Sequence, residues 1–422
     1  MTRRALSLLL VLALSPLSAA AQESALEGLR AAAQAAPRDY DAQLALGRAL
    51  LEAGRYREAA AQLRRAAGLR RGDAAALYEV ARVDFEQHEH QRARAQCRAV
   101  ARAAQGTPLG RVCQARAFLA WNRSARAFEE LEAALEQAPN DFEALLALGD
   151  AHRLRAAVPE AEDAYRRALA ADGRRAEPHL GLGQLYAQAS RREEAVAALR
   201  RAHELAPDDP DVDYELGRAL SGEDAVRHLR EAVQNRPTWA LAHAGLGDAL
   251  LALGQHEEAA REYTTALQQD SHLASARSGL GRAQMAAGNL EQAEQTLRAA
   301  LEQVANDAGA VMALADVLAR TSRVEEAYEQ YRHASDLDPR DPEPLVRAAQ
   351  LALSQERPVL AVGYLQRVIT LRPNHALALA LMGDVMRGRR QVAEARQFYQ
   401  RALAGEGELD RARVQRALRE LR

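Results

Sequence analysis

The stretch from Leu44 to Ala66, LALGRALLEAGRYREAAAQLRRA, decides the architecture. Apolar residues recur every three or four positions on both sides of Gly54-Arg55, the pattern of two short amphipathic helices joined by a turn. The design returns every 34 residues: Gly47 is followed by Ala81, Ala115, Gly149, Gly183 and Gly217. Ala59, twelve residues on, recurs as Ala93, Ala127, Ala161 and Ala195. After Gly217 the next Ala of this series is Ala225, only eight residues on, so that unit lacks four residues, about one helical turn. The series resumes at Gly247, Gly281, Ala315, Ala349 and Gly383, with Ala259, Ala293, Ala327, Ala361 and Ala395. Self-similarity at a fixed period is the signature of a stacked array. Helices of about thirteen residues are marginal alone, so each must draw stability from packed neighbours. The small residues sit where the two helices of one unit cross, and a bulky side chain there would force them apart.

Within a unit the order is Leu-Gly, a bulky residue three later, then Ala, an aromatic or Leu four later, then Ala and Pro. It reads clearly in Leu182-Gly183, Tyr186, Ala195, Leu199, Ala202 and Pro207, and again in Leu246-Gly247, Ala259, Tyr263 and Ala266. This order resembles the tetratricopeptide repeat (TPR) family. The resemblance implies an all-α fold, a right-handed superhelical solenoid of eleven helix-turn-helix repeats. They fall at 40–73, 74–107, 108–141, 142–175, 176–209, a short 210–239, 240–273, 274–307, 308–341, 342–375 and 376–409. Repeats 1–6 thus occupy 40–239 and repeats 7–11 occupy 240–409. Ala25, Leu29, Ala32 and Pro37 match the second half of a unit and predict an N-terminal capping helix within 22–39. Leu409, Val414, Leu418 and Leu421, interleaved with Arg413, Gln415 and Arg416, predict a closing helix over 410–422.

Composition narrows the chemistry. The chain has 422 residues, 48% of them hydrophobic and 4% aromatic. Ala makes up over a fifth of it, which suits closely packed helices. All 56 basic residues are Arg, so no P-loop, kinase or pyridoxal-type Lys is available. The formal net charge of −2 also argues against a dedicated nucleic-acid binder. No G-x-S-x-G, H-E-x-x-H or C-x-x-C is present. Gly181-Leu182-Gly183, Gly245-Leu246-Gly247 and Gly279-Leu280-Gly281 lack the third Gly of a dinucleotide fingerprint and fall on repeat positions with no preceding strand. His88 and His90 lie in a predicted turn without further ligands at metal spacing, so neither metal nor cofactor is expected.

Arg3 and Arg4, the apolar run Ala5–Leu17 and the small residues Ala19-Ala20-Ala21 read as a secretory signal peptide over 1–21, cleaved before Gln22. The run is shorter than the roughly 20 apolar residues of a membrane span. The expectation is a periplasmic or secreted protein without membrane insertion after cleavage. In an exported chain the only two cysteines, Cys97 and Cys113, permit a disulfide. They lie in consecutive antiparallel helices, eight residues either side of a turn near Gln105. The alternative is a pair of small buried hydrophobes.

In TPR proteins ligands usually lie against the first helix of each repeat. The resemblance therefore places a partner-binding groove at Leu44, Arg48 and Leu51; Tyr78, Arg82 and Phe85; and Val112, Arg116 and Leu119. Arg48, Arg82 and Arg116 occupy one repeat position, and an Arg fork suits a peptide carboxylate. Asp150, Asp248, Asp316 and Asp384 hold that position later, while Arg218 and Arg282 keep it basic. The expected function is a non-enzymatic protein-interaction scaffold of the bacterial envelope, binding partner proteins or peptides along its concave face. The alternative is an accessory subunit of an envelope secretion or polysaccharide-export machine.

Overall fold

The computed structural model describes residues 19–87 and 89–421; most of the expected signal peptide, and His88, lie outside the described residues. Among them α-helices and turns account for nearly everything, and no strand occurs. Helix α1 (Ala19–Ala35) precedes eleven antiparallel pairs. Those of repeats 1–6 are α2 (Tyr40–Glu52) with α3 (Tyr56–Leu69), α4 (Ala74–Glu86) with α5 (His90–Ala103), α6 (Pro108–Leu119) with α7 (Ser124–Gln137), α8 (Phe142–Leu154) with α9 (Val158–Ala171), α10 (Glu177–Gln188) with α11 (Arg192–Leu205), and α12 (Pro210–Ala219) with α13 (Gly222–Asn235). Those of repeats 7–11 are α14 (Ala240–Ala252) with α15 (His256–Gln269), α16 (Ala274–Ala286) with α17 (Leu290–Gln303), α18 (Ala308–Arg320) with α19 (Val324–Leu337), α20 (Glu343–Ser354) with α21 (Pro358–Leu371), and α22 (Ala376–Gly388) with α23 (Val392–Ala404). Helix α24 (Arg411–Glu420) closes the series. The fold is a TPR-like solenoid of consecutive helix pairs. It divides into two compact units, one ending at Gly245 and one beginning at Leu246.

The helices start where the sequence supplies an acceptor. Asp39, Asp73, Asp141, Asp209 and Asp307 each accept backbone N–H groups at the start of a first helix, and Thr107 does the same for α6. Such a cap contributes about 1 kcal/mol. Inside each pair the small residues permit close crossing. Ala59, Ala93, Ala127, Ala161, Ala259 and Ala293 are wholly buried. A Cβ added to Gly47 would come within 2.6 Å of Leu63.

A second rule couples the two helices. Tyr165, Tyr263, Tyr331 and Tyr399 are buried and donate their hydroxyls to Asp150, Asp248, Asp316 and Asp384, at 2.8, 2.6, 2.7 and 2.7 Å. Each Asp stands fifteen residues before its Tyr. Where the position holds Arg48, Arg82, Arg116 or Arg282, the residue fifteen later is Leu63, Cys97, Leu131 or Leu297. Gln184 and Gln350 likewise pair with Leu199 and Leu365. The acids expected to line a groove thus serve the tyrosines of their own repeats.

Cys97 and Cys113 form a disulfide linking α5 to α6, with Cα atoms 5.1 Å apart.

The first unit curls until repeat 1 meets the residue that caps α12, the first helix of repeat 6. Tyr56 on α3 donates to Asp209 Oδ2 at 2.7 Å, across 153 residues of chain. Gly54, at φ +76°, lies so close to Asp209 that a Cβ would overlap its backbone. Arg236 completes this seam. It donates to the Glu86 carbonyl at 2.8 Å, pairs with Asp211 at 2.7 Å, and lies over the Trp239 ring at 4.4 Å. Burial, with Asp211 and Asp209 nearby, pushes the Glu86 carboxyl up to about 8. An unfolded Glu titrates near ~4.3, so the folded chain holds this proton more tightly. The stability Glu86 contributes is therefore full below about pH 4 and is lost as pH rises through about 8. Glu86→Gln should make amides of α3 and α12 exchange more slowly than wild type at about pH 8.5, and the difference should vanish near pH 4. Equal exchange of variant and wild type at the higher pH would refute this role.

Candidate functional site

The expected groove residues separate into four groups. Leu44, Leu51 and Val112 are core side chains at 7%, 5% and 1% exposure. Tyr78 and Arg82 are also buried, inside a network of ions. Phe85, Arg116 and Leu119 are half-buried and line an open cavity of about 500 Å³. Arg48 is exposed beside the network.

The network forms because successive repeats aim charges at the same interior. Arg82 donates to Glu79 at 2.8 Å and to Glu177 at 3.0 Å, with Glu143 3.6 Å from its Nε. Arg116 donates to Glu143 at 2.9 Å, and Tyr78 donates to the same carboxylate at 2.8 Å. Arg175 bridges Glu177 at 2.5 Å and Glu143 at 3.3 Å, while Arg48 reaches Glu79 at 2.7 Å. Burial alone would raise the Glu143 carboxyl, but Arg82, Arg116 and Arg175 outweigh it and hold it down to about 2. A buried charge stripped of its partner costs roughly 3–5 kcal/mol. Arg82 is therefore bound to the fold, and its guanidinium is committed to the chain's own carboxylates.

The cavity beside this network differs in character. Phe85, Leu119, Leu146, Leu154 and Leu180 supply apolar walls, and Asp150, Arg153 and Gln184 a polar margin. Leu154 is 55% exposed, unusual for a large aliphatic side chain. Arg116 lines the cavity, with Nη2 donating to Glu143 and its Nε buried from solvent. A larger opening of about 620 Å³ lies over the seam, but Glu23, Arg55 and Glu58 there already pair with one another. The apolar cavity, with Arg116 and Arg153 in its lining, is the better candidate site.

Of the residues expected in a groove, Phe85, Arg116 and Leu119 line this cavity, together with Leu146, Leu154 and Leu180 from repeats 4 and 5, which were not among them. Their signal was present, since each is an apolar residue on a first helix. Among the described residues one further group could hold a metal ion: His203, Asp213, His228 and Glu231. It lies on α11, α12 and α13 and involves neither His88 nor His90.

Family models agree with this architecture. Tetratricopeptide-repeat family models match residues 18–69, 44–108, 114–176, 180–222, 221–274 and 346–411, and a second such model matches 250–317. No curated protein matches the sequence. Among solved structures, the crystal structure of yeast Tom70 is similar over 95% of this chain and 92% of its own, at 12% identity and a TM-score of 0.46. With family models matching most of its length, paired helices throughout and small residues at every crossing, the chain belongs to the tetratricopeptide-repeat family.

Proposed function

We propose that this protein is a non-enzymatic interaction scaffold of the bacterial envelope, holding an extended segment of a partner protein in the cavity of its first unit. The observation that carries the reading is the open cavity of about 500 Å³ walled by Phe85, Leu119, Leu146 and Leu154, with Arg116 in its lining. A peptide offers what that arrangement needs: an apolar side chain for the walls, and a carbonyl or carboxylate for the guanidinium. Export is supported by the leader-like residues before Gln22 and by the Cys97–Cys113 disulfide, which persists in oxidising compartments. Service as an accessory subunit of a secretion or polysaccharide-export machine would use the same cavity, and the captured partner's identity distinguishes it.

The test places a photo-crosslinking residue at Leu154 in cells and compares the chain with and without Leu119→Glu. One partner protein, captured by the parent and at least about tenfold less by the variant, is the expected result. Unchanged melting of the variant shows that the fold survived. Equal capture by both would move the site elsewhere. Mass spectrometry of the purified protein should give an N-terminus at Gln22; an intact Met1 would sink the envelope assignment.

A further inference from the structure

Three helices converge at the shortened sixth repeat. His203 lies in the last turn of α11, Asp213 in the first turn of α12, and His228 and Glu231 one turn apart on α13. Asp213 is wholly buried and His228 nearly so, while His203 and Glu231 are half-buried. His203 Nδ1 is 3.1 Å and His228 Nδ1 3.0 Å from the same atom, Asp213 Oδ1. Glu231 Oε2 lies 3.2 Å from His228 Nδ1. One ligand atom from each of the four residues falls within 4.8 Å of all the others.

Hydrogen bonding accounts for only part of this convergence, the contact of His228 Nδ1 with Asp213 Oδ1 at 3.0 Å. Two imidazole nitrogens compete for one carboxylate oxygen, while the other, Asp213 Oδ2, is buried with no partner. Glu231 Oε2 and His203 Nδ1 are also buried without a well-formed hydrogen bond. With neutral imidazoles the carboxylates of Asp213 and Glu231 stand together, Glu231 with Arg227 4.0 Å from its Oε1, and burying the Asp213 charge is costly. The repeat pattern adds a separate argument. His203 stands eight residues after Ala195, where the other repeats carry Ala67, Ala101, Leu135, Leu169, Val233, Leu267, Leu301, Ser335, Ile369 and Leu403. No packing need of this position calls for an imidazole.

We propose that His203, Asp213, His228 and Glu231 bind one divalent transition-metal ion, with zinc the natural probe. Two neutral imidazoles and two carboxylates form a four-ligand N/O set suited to tetrahedral zinc, and a dication cancels the two negative charges. The Nδ1 lone pairs and the unpartnered carboxylate oxygens become ligands. With four protein ligands the site is structural. It ties α11 of repeat 5 to α12 and α13 of repeat 6, where four residues are missing and α12 is only 10 residues long.

The untagged protein, stripped with a chelator, is titrated with zinc and weighed by native mass spectrometry. One zinc per chain is expected, with a higher melting temperature because the ion binds only the folded state. His203→Leu installs the residue that five other repeats carry here, so its metal-free form should melt no lower than metal-free wild type. Its zinc affinity should fall by more than the ~10–100-fold that losing an outer-shell partner costs. X-ray absorption of the zinc-loaded wild type, independent of any variant's folding, should show two imidazoles and oxygen ligands. Absence of zinc binding would leave protonated imidazoles paired with Asp213 as the state of the cluster and would overturn the proposal. Equal binding by His203→Leu, or an absorption spectrum without two imidazoles, would do the same.

Discussion

Tyr263→Ala should destabilise the second unit by about 3–5 kcal/mol, the range for removing a buried aromatic side chain. Tyr263 is wholly buried and shared by two repeats: a Cβ at Gly247 would lie 2.8 Å from its ring, and one at Gly279 would overlap it. Truncation leaves a cavity that backbones already in close approach cannot fill. Because each repeat contacts mainly its neighbours, the damage should concentrate in repeats 7 and 8. Hydrogen exchange should rise most in α15 and α16 and least in α22 and α23. The companion variants divide the effect. Tyr263→Phe keeps the ring and loses one hydrogen bond to Asp248, costing about 1 kcal/mol. Asp248→Ala strands the hydroxyl and should cost about 1–3 kcal/mol. A Tyr263→Ala variant no less stable than Tyr263→Phe would refute the clasped-ring account.

The second large effect belongs to the disulfide. Replacing Cys97 and Cys113 together with serine should lower stability by about 3 kcal/mol, since the bridge closes a loop of 16 residues and restricts the unfolded chain. Serine hydroxyls at two wholly buried positions add to the loss. Denaturant unfolding of the first unit, with and without reductant, reads this directly. Reductant should shift the parent and leave the double variant unmoved. A parent indifferent to reductant, with both thiols shown to be free, would remove the bridge from the stability of the fold.

Much of this was legible in the residues, and what escaped did so for definite reasons. Period 34 and the Gly and Ala positions give the helix pairs, because close crossing is a local demand that each repeat must meet. The pairing of Asp150 with Tyr165, or Asp384 with Tyr399, was equally legible as a fifteen-residue coupling. Reading the first-helix positions by themselves made those acids look free. The burial of Arg82 was not legible. Its partners Glu143 and Glu177 lie two and three repeats ahead, and only the curvature of the stack brings them together. The period specifies nearest neighbours, whereas curvature is a small rotation accumulated over many interfaces. Arg82 and Arg116 looked alike in sequence, yet one ended inside a charge network and the other at a cavity's edge. His203 was an avoidable miss, since an imidazole where other repeats put small or apolar groups is an anomaly visible in the sequence.

The contact between Tyr56 and Asp209 has a consequence for how this gene can lengthen or shorten. A tyrosine–aspartate pair lies within its own repeat, and a ring clasp reaches only the next one. Copying or deleting a 34-residue module among residues 274–409 can therefore leave such pairs intact. Between residues 74 and 207 the same event would carry Asp209 to another station along the curl and leave Tyr56 facing a different side chain. The seam counts modules: gaining or losing a repeat between its two sides would break the Tyr56–Asp209 contact.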